Sequence, residues 1–192
     1  KINFIVPSGN FGNIFSARIA KYMGLPINQL HIVTNTNDIL NRIISSGIMK
    51  INQVTQTYSP SMDIQVSSNF ERQLFESCKR DSKITKKIME NFIQNMNYKL
   101  EEDILDNLQS IYLSHSVSNI ATLETIKTFK ENYNYLADPH TATGLNILNK
   151  INNKNPTVSL ACAHPAKFSH AIKKATGKLP DMPDELENIF DK

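Results

Sequence analysis

The stretch Ile2-Asn3-Phe4-Ile5-Val6-Pro7-Ser8-Gly9-Asn10-Phe11-Gly12-Asn13 decides how this chain folds. Its first five residues form a short apolar run, typical of a buried parallel strand. After it, residues 14–23 place apolar side chains at helical spacing. Residues 7–13, which we call the glycine loop, therefore leave a strand and lead into a helix.

A loop in this position is suited to an anion. Backbone N–H groups in the first turn of a helix have no partner inside the helix, and the helix dipole favours negative charge there. Gly9 and Gly12 would let the backbone turn sharply and approach a ligand closely. The loop matches neither the G-x-G-x-x-G nor the Walker pattern, so an ordinary strand–helix turn is the alternative.

The order strand, helix, strand, helix recurs along the chain and implies right-handed crossovers. Further strands are predicted at residues 30–33, 111–113 and 157–162. Further helices are predicted at residues 38–46 (capped by Thr36 or Asn37), 117–133, 142–150, 166–176 and 183–191. The predicted fold class is α/β, a doubly wound, mainly parallel sheet flanked by helices.

The middle of the chain follows a different pattern. Residues 58–110 are mostly helical, with helices predicted toward the end of residues 63–78, at 81–98 and at 101–108. We interpret this block as an insertion or a peripheral layer, and not as a separate domain.

Composition excludes several classes of function. The net charge of the 192 residues is +3 and the basic residues are scattered, which argues against a nucleic-acid partner. No apolar stretch approaches the roughly 20 residues of a membrane helix. Cys78 and Cys162 have no metal-ligand spacing, which indicates a reduced, cytoplasmic setting and no metal. Because an apolar strand follows Lys1 at once, we expect the chain to be cut from a longer one.

Polar residues follow three predicted strands, and ligands of open α/β sheets bind at the carboxyl ends of strands. Each candidate has an ordinary structural alternative. Asn35 and Asn37 can be turn and cap residues, and Cys162 can be a small buried apolar residue instead of a nucleophile. The other candidates, which can be surface, structural or ion-pairing residues, are His140, His164, Lys167, Asp63, Glu71 and Arg72.

Five segments, taken in order, resemble threonine synthase, a pyridoxal-phosphate enzyme of fold type II. The first is the glycine loop, and the most specific is the string SPSMDIQVSSNFER at residues 59–72. The other three are residues 34–40, 138–144 and 163–168. The resemblance implies a fold like that of the tryptophan synthase β subunit.

The resemblance also implies a reaction and a set of cofactor contacts. Threonine synthases convert O-phosphohomoserine and water into threonine and phosphate, with pyridoxal phosphate as the electron sink. The residues that would bind the phosphate of the cofactor are Gly9, Asn10, Phe11, Gly12 and Asn13. The position that faces the pyridine nitrogen is usually Thr or Ser and is Cys162 here.

One feature of the family is missing. Its cofactor lysine lies in a Ser-Phe-Lys-Asp type of segment well before the glycine loop, and we find no such segment in these 192 residues. We therefore expect this chain to be the C-terminal part of the large cofactor-binding domain. It should have no catalytic residue of its own and should not turn over substrate alone. Another fold-type-II enzyme, such as a serine or threonine dehydratase, and a non-catalytic phosphate-binding module are the alternatives. The sequence leaves open whether the chain pairs in a homodimer.

Overall fold

The computed structural model describes residues 1–148, 150–151 and 154–183. Its strands are β1 (Ile2–Pro7), β2 (Ile27–Thr34), β3 (Ile48–Lys50), β4 (Asn97–Lys99), β5 (Tyr112–Ser116) and β6 (Thr157–Ser159). Its α-helices are α1 (Gly12–Tyr22), α2 (Ile39–Ser46), α3 (Phe70–Ser77), α4 (Ser82–Asn95), α5 (Glu102–Ile111), α6 (Asn119–Tyr133), α7 (Pro139–Leu148) and α8 (Ser169–Thr176). Short 3₁₀ turns lie at Pro60–Met62 and Pro165–Phe168.

Four strands form a wholly parallel sheet in the order β5-β2-β1-β6. In this sheet Val6 pairs with Ile32, and Ile5 pairs with Ser159. Because the carboxyl ends of parallel strands lie at the same edge, the segments that follow β1, β2 and β6 emerge side by side. The predicted α/β class with a mainly parallel sheet is confirmed.

Successive side chains along each strand point to opposite faces of the sheet. Since apolar side chains project from both faces, helices cover both of them. Val6 and Ile32 face the largest cluster of buried apolar residues, which also contains residues of α1 to α5. Ile5 and Val33 face the opposite side, where they pack against Val117 and Ile147. The sheet is therefore doubly wound, and most of its core lies on the side of α1 to α5.

The helical block at residues 58–110 packs directly into that main core. Its buried side chains include Phe70, Leu74, Ile88, Phe92 and Leu108. Its strand β4, which the sequence did not predict, forms a two-stranded antiparallel sheet with β3, in which Met49 pairs with Tyr98. The interpretation of this block as an insertion stays a prediction.

Several predicted boundaries are wrong. The helix predicted at 81–98 ends at Asn95, and the following residues form β4, after Met96 has adopted a left-handed backbone with φ 53°. The strand predicted at 157–162 ends at Ser159, so Cys162 lies in a loop. The predicted strand at 111–113 is β5, which begins at Tyr112. The helix predicted at 183–191 lies outside the described residues apart from its first position.

Close packing at one glycine brings α7 against the sheet. A Cβ atom at Gly144 would lie 2.7 Å from Oγ of Ser159 and 3.1 Å from Cγ of Pro7. No side chain fits there without displacement of these neighbours. Gly144 thus allows the middle of α7 to lie beside the ends of β1 and β6.

Candidate cofactor-phosphate site

The glycine loop follows β1 and leads into α1. The N–H group of Ser8 still belongs to the sheet, because it donates to the carbonyl oxygen of Val33 over 2.8 Å. The N–H groups of residues 9–14 have no acceptor among the described residues. Six consecutive donors are therefore available to a ligand at the N-terminus of an eleven-residue helix.

The sharp turn of the loop occurs at Phe11 and not at a glycine. Phe11 has φ 63° and precedes the first residue of α1, whereas neither Gly9 nor Gly12 has a positive φ. Phe11 is only 1% exposed. Its ring lies edge-on to Phe70 at 5.3 Å and to Tyr112 at 5.6 Å between centroids. These aromatic contacts offset the strain of a left-handed backbone.

Gly9 is required for close contact with the segment that follows β3. A Cβ atom there would lie 2.9 Å from the carbonyl oxygen of Ser61 and 3.0 Å from Cα of Met62. The carbonyl oxygen of Gly9 accepts a hydrogen bond from Oγ of Ser67 over 3.0 Å. The back of the loop is thus held by the backbone of Ser61 and Met62 and by the side chain of Ser67.

Asn10 is also held by that segment. Its Oδ1 atom accepts from the N–H and the hydroxyl of Ser68, over 2.6 and 2.8 Å. The carboxamide oxygen is therefore satisfied within the chain, and the amide nitrogen is the part of this side chain that can donate to a ligand.

A pocket of about 240 Å³ lies over the loop. It is lined by residues 7–13 and by Asn69, which precedes α3. The structure therefore brings together the five predicted phosphate-binding residues. Asn69 is an additional lining residue that the sequence analysis did not single out, although it lies within the string that carries the family resemblance.

A second pocket of about 230 Å³ lies next to the first, and the two share Pro7 and Gly9. Cys162 lines it, and its N–H donates to Oγ1 of Thr141 over 2.8 Å. Desolvation of the thiol and the nearby carboxylate of Asp138 raise the pKa of Cys162 to about 11. The thiol is therefore protonated at neutral pH, which disfavours its alternative role as a nucleophile.

His140 and Lys167 also line the second pocket. His140 has a partner that spacing had not assigned, because its Nδ1 atom lies 3.0 Å from Oδ1 of Asp138. His164 is structural, since its Nδ1 accepts from the N–H of Ala166 over 3.2 Å. The sequence signal for the Asp138–His140 pair was present in the Asp-Pro-His-Thr turn, where a carboxylate precedes a helix by one residue.

Other candidate residues have structural roles. Asn37 does not cap α2, which starts at Ile39 after an N-cap at Asp38 without a side-chain cap bond. Asn35 and Asn37 instead donate to Oδ1 of Asp63, over 2.7 and 2.9 Å. Within the described part of the chain, no ion pair joins Asp63 to Glu71 or Arg72 of α3. These two residues of α3 line a separate groove of about 930 Å³ between α1, α3 and α4.

The described residues contain neither a group of metal ligands nor a membrane-spanning helix. Among them, no three His, Cys, Asp or Glu side chains are grouped as metal ligands would be. No helix in the same part of the chain is both long and apolar enough to cross a bilayer.

Comparisons with known proteins agree with this geometry. A sequence model of the family described as threonine synthase, C-terminal, matches residues 141–192. The chain is 38% identical over its whole length to a threonine synthase of Pseudomonas aeruginosa, of which it covers 41%. It therefore spans about two fifths of the length of that relative.

Solved structures show the same relationship. The fold superimposes with a TM-score of 0.96 on a PLP-bound threonine synthase from Brucella melitensis, at 43% identity, over all of this chain and 41% of the other. The TM-score with the yeast threonine synthase is 0.92 at 36% identity, over 99% of this chain and 42% of the other. Along its whole length the chain is similar, in sequence and in fold, to the corresponding two fifths of these threonine synthases.

Proposed function

We propose that the glycine loop binds the phosphate group of pyridoxal 5′-phosphate in a threonine synthase. The observation that carries this proposal is the run of six N–H groups, at residues 9–14, without an acceptor in the described part of the chain. A phosphate group accepts hydrogen bonds from such donors and is attracted by the dipole of α1. The cofactor named for the Brucella melitensis relative supports the same ligand here.

The residues of the loop fit a phosphate group. Gly9, Phe11 and Gly12 offer backbone donors, and the pocket over them has a volume of about 240 Å³. Asn10 and Asn13 would add the N–H groups of their backbone and their side-chain amides. Because Gly9 and Asn10 are both held by residues 61–68, the loop is shaped before any ligand arrives.

Cys162 would face the pyridine nitrogen of the cofactor in the adjacent pocket. A neutral thiol is a weak hydrogen-bond donor, so that nitrogen would stay unprotonated. The cofactor, when bound, supplies an electron sink for chemistry at the amino-acid substrate. This chain would contribute the contacts that orient its two ends.

The activity that we propose for the whole protein is the conversion of O-phosphohomoserine and water into threonine and phosphate. In that protein, residues 1–192 would form the C-terminal part of the large cofactor-binding domain, with residues 58–110 as a helical insertion. The Schiff-base lysine would come from elsewhere, so the chain alone should be inactive. We place the protein in the cytoplasm, in agreement with two cysteines that are both free. A homodimer is a further proposal.

The binding part of the proposal is tested with pyridoxine 5′-phosphate and pyridoxine, which differ only in the phosphate group. Neither has an aldehyde, so neither reacts with surface lysines. We expect the chain to bind the phosphorylated compound and to lose at least about 2 kcal/mol of affinity without the phosphate. Inorganic phosphate should compete. Equal binding of both compounds would contradict the proposal.

The catalytic part is tested by phosphate release. The 192-residue chain should release no phosphate from O-phosphohomoserine, and a protein that also contains the lysine-bearing segment should do so. Turnover of O-phosphohomoserine, with none of threonine, separates a synthase from a dehydratase. Release by the chain alone at an enzyme-like rate would show that the missing-lysine argument is wrong.

A further inference from the structure

Asp138 lies at the start of α7 and is the centre of a buried hydrogen-bond cluster. Its side chain is only 1% exposed. Oδ1 accepts from the N–H of His140 over 2.9 Å, and Oδ2 accepts from the N–H of Ala163 over 3.1 Å. Oδ2 also accepts from the hydroxyl of Thr141. One carboxylate thus contacts both α7 and the loop that follows β6.

His140 extends the cluster to the segment behind the glycine loop. The N–H of Ser61 donates to Nε2 of His140 over 3.2 Å, so Nε2 is an acceptor. The proton of the neutral ring therefore lies on Nδ1, which donates to Asp138 over 3.0 Å. The ring is 5% exposed and packs against Phe168, at 4.8 Å between centroids.

The cluster reaches both ends of the proposed cofactor site. Through His140 it fixes Ser61, whose carbonyl oxygen lies against Gly9 at the phosphate end. Through Thr141 it fixes the N–H of Cys162, at the ring end, over 2.8 Å. The two pockets and the carboxylate are therefore parts of one connected arrangement.

The carboxylate is ionised at neutral pH. Burial raises the pKa of Asp138, but the hydrogen bonds from His140, Thr141 and Ala163 outweigh burial and lower it below its usual value. Hydrogen bonds to a charged acceptor are shorter and stronger than those between neutral groups, so the cluster is rigid.

We propose that Asp138 is a positioning residue that sets the distance between the glycine loop and Cys162, and so fits the site to the length of the cofactor. This inference rests on the proposed function. The carboxylate of Asp138 lines neither pocket. Its role would be to keep Cys162, at the ring end of the cofactor site, at a fixed distance from the glycine loop at the phosphate end.

The test compares Asp138→Asn with Asp106→Asn, a matched change at an exposed position of α5. A carboxamide cannot accept hydrogen bonds at both of its ends, so Asp138→Asn should weaken binding of pyridoxine 5′-phosphate by about tenfold or more. Binding of inorganic phosphate, which needs only the loop, should change by less than about threefold. Equal losses for both ligands would overturn the proposal.

A second readout needs no ligand. In Asp138→Asn, amide hydrogen exchange should accelerate at Ser61, Cys162 and Ala163, and should stay unchanged at Ser8, which donates within the sheet. Unchanged exchange at the first three would overturn the positioning role. If the wild-type chain binds neither ligand, the proposed function fails, and amide exchange still decides the inference.

Thr141→Val provides a milder variant in case Asp138→Asn does not fold. It removes the hydroxyl that links Asp138 to Cys162 and leaves the carboxylate in place. Exchange should then accelerate at Cys162 and not at Ser61, and affinity for pyridoxine 5′-phosphate should fall more than that for phosphate. Equal acceleration at both amides would show general loosening and would overturn the proposal.

Discussion

The Nδ2 atom of Asn35 donates to Oδ1 of Asp63 over 2.7 Å, and this contact joins the end of β2 to the segment behind the glycine loop. Thr57 reinforces it, since its hydroxyl and its N–H donate to the same carboxylate over 2.6 and 2.9 Å. Asn37 adds a fourth donor. Asp63 is therefore the acceptor around which residues 55–63 are arranged.

Asp63→Asn should destabilise this segment. The variant replaces one acceptor oxygen by a donor nitrogen, which leaves at least one partner without a hydrogen bond. We expect the free energy of unfolding to fall by about 1–3 kcal/mol. Urea denaturation measures the change, with Asp106→Asn as the exposed control. Equal stability of the two variants would contradict the role of Asp63.

Gly9→Ala and Gly12→Ala should differ sharply in stability. The new Cβ at position 9 would meet the backbone of Ser61 and Met62 at 2.9 and 3.0 Å, whereas the nearest atom at position 12 is Nδ2 of Asn69 at 3.7 Å. We expect a loss of about 1–3 kcal/mol for Gly9→Ala and less than about 0.5 kcal/mol for Gly12→Ala. Thermal and urea unfolding measure both. Similar losses would mean that loop flexibility, and not close packing, explains Gly9.

Cys162 should react slowly with iodoacetamide at neutral pH even though the residue is exposed. Its pKa is raised to about 11, so the reactive thiolate is scarce, and alkylation should be at least about tenfold slower than that of free glutathione. The rate should rise as pH approaches 11. Mass spectrometry of the labelled chain distinguishes Cys162 from buried Cys78. Alkylation as fast as that of glutathione at pH 7 would show that the thiol is activated.

Buried His31 and half-buried His115 form a pair that should make stability depend on pH. Nδ1 of His31 lies 3.1 Å from Nε2 of His115, and the rings are stacked. Burial, and next the neighbouring His115, lower the pKa of His31 to about 4. Burial and the charge of Lys150 also lower the pKa of His115. Both rings are therefore neutral in the folded chain at neutral pH.

The sign of the effect follows from proton linkage. Between pH about 6.5 and about 4 the unfolded chain binds a proton that folded His31 excludes, so stability falls as pH falls through this window. For His31 alone the loss is about 2–4 kcal/mol. Urea midpoints at pH 8, 6 and 5 measure it, and His31→Phe should reduce the slope whereas His170→Gln, at an exposed position, should not. An unchanged slope in His31→Phe would exclude the pair as its source.

The sequence predicted the parts of the site that local chemistry determines. A strand, a glycine-bearing loop and a helix in succession were enough to locate the run of N–H groups without acceptors among the described residues, because helix geometry alone leaves the first N–H groups without a partner. The parallel sheet followed from the order of strands and helices. Cys162 was placed at the ring end by resemblance and not by spacing.

Contacts between distant segments could not be predicted. Ser61 lies against Gly9, and the Asp138 cluster joins α7 to Ser61 and Cys162, across separations that local patterns do not encode. The three-residue strands β3 and β4 were missed because such short segments carry no alternation. Thr36 or Asn37 was predicted to cap α2 because these residue types favour caps, yet the N-cap is Asp38, and the side chain of Asn37 donates to Asp63 and to the carbonyl oxygen of Thr55.

The left-handed backbone at Phe11 carries a wider consequence. Its aromatic ring is buried in the core, so apolar contacts with α3 and β5 determine the backbone geometry of the polar glycine loop. The loop is therefore preorganised, and binding of the proposed phosphate group would cost little conformational entropy. A change in which phosphorylated molecule fits this loop would therefore require substitutions in the hydrophobic core. Truncation of Phe11, Phe70 or Tyr112 would change the shape of the loop without removing any of its N–H donors.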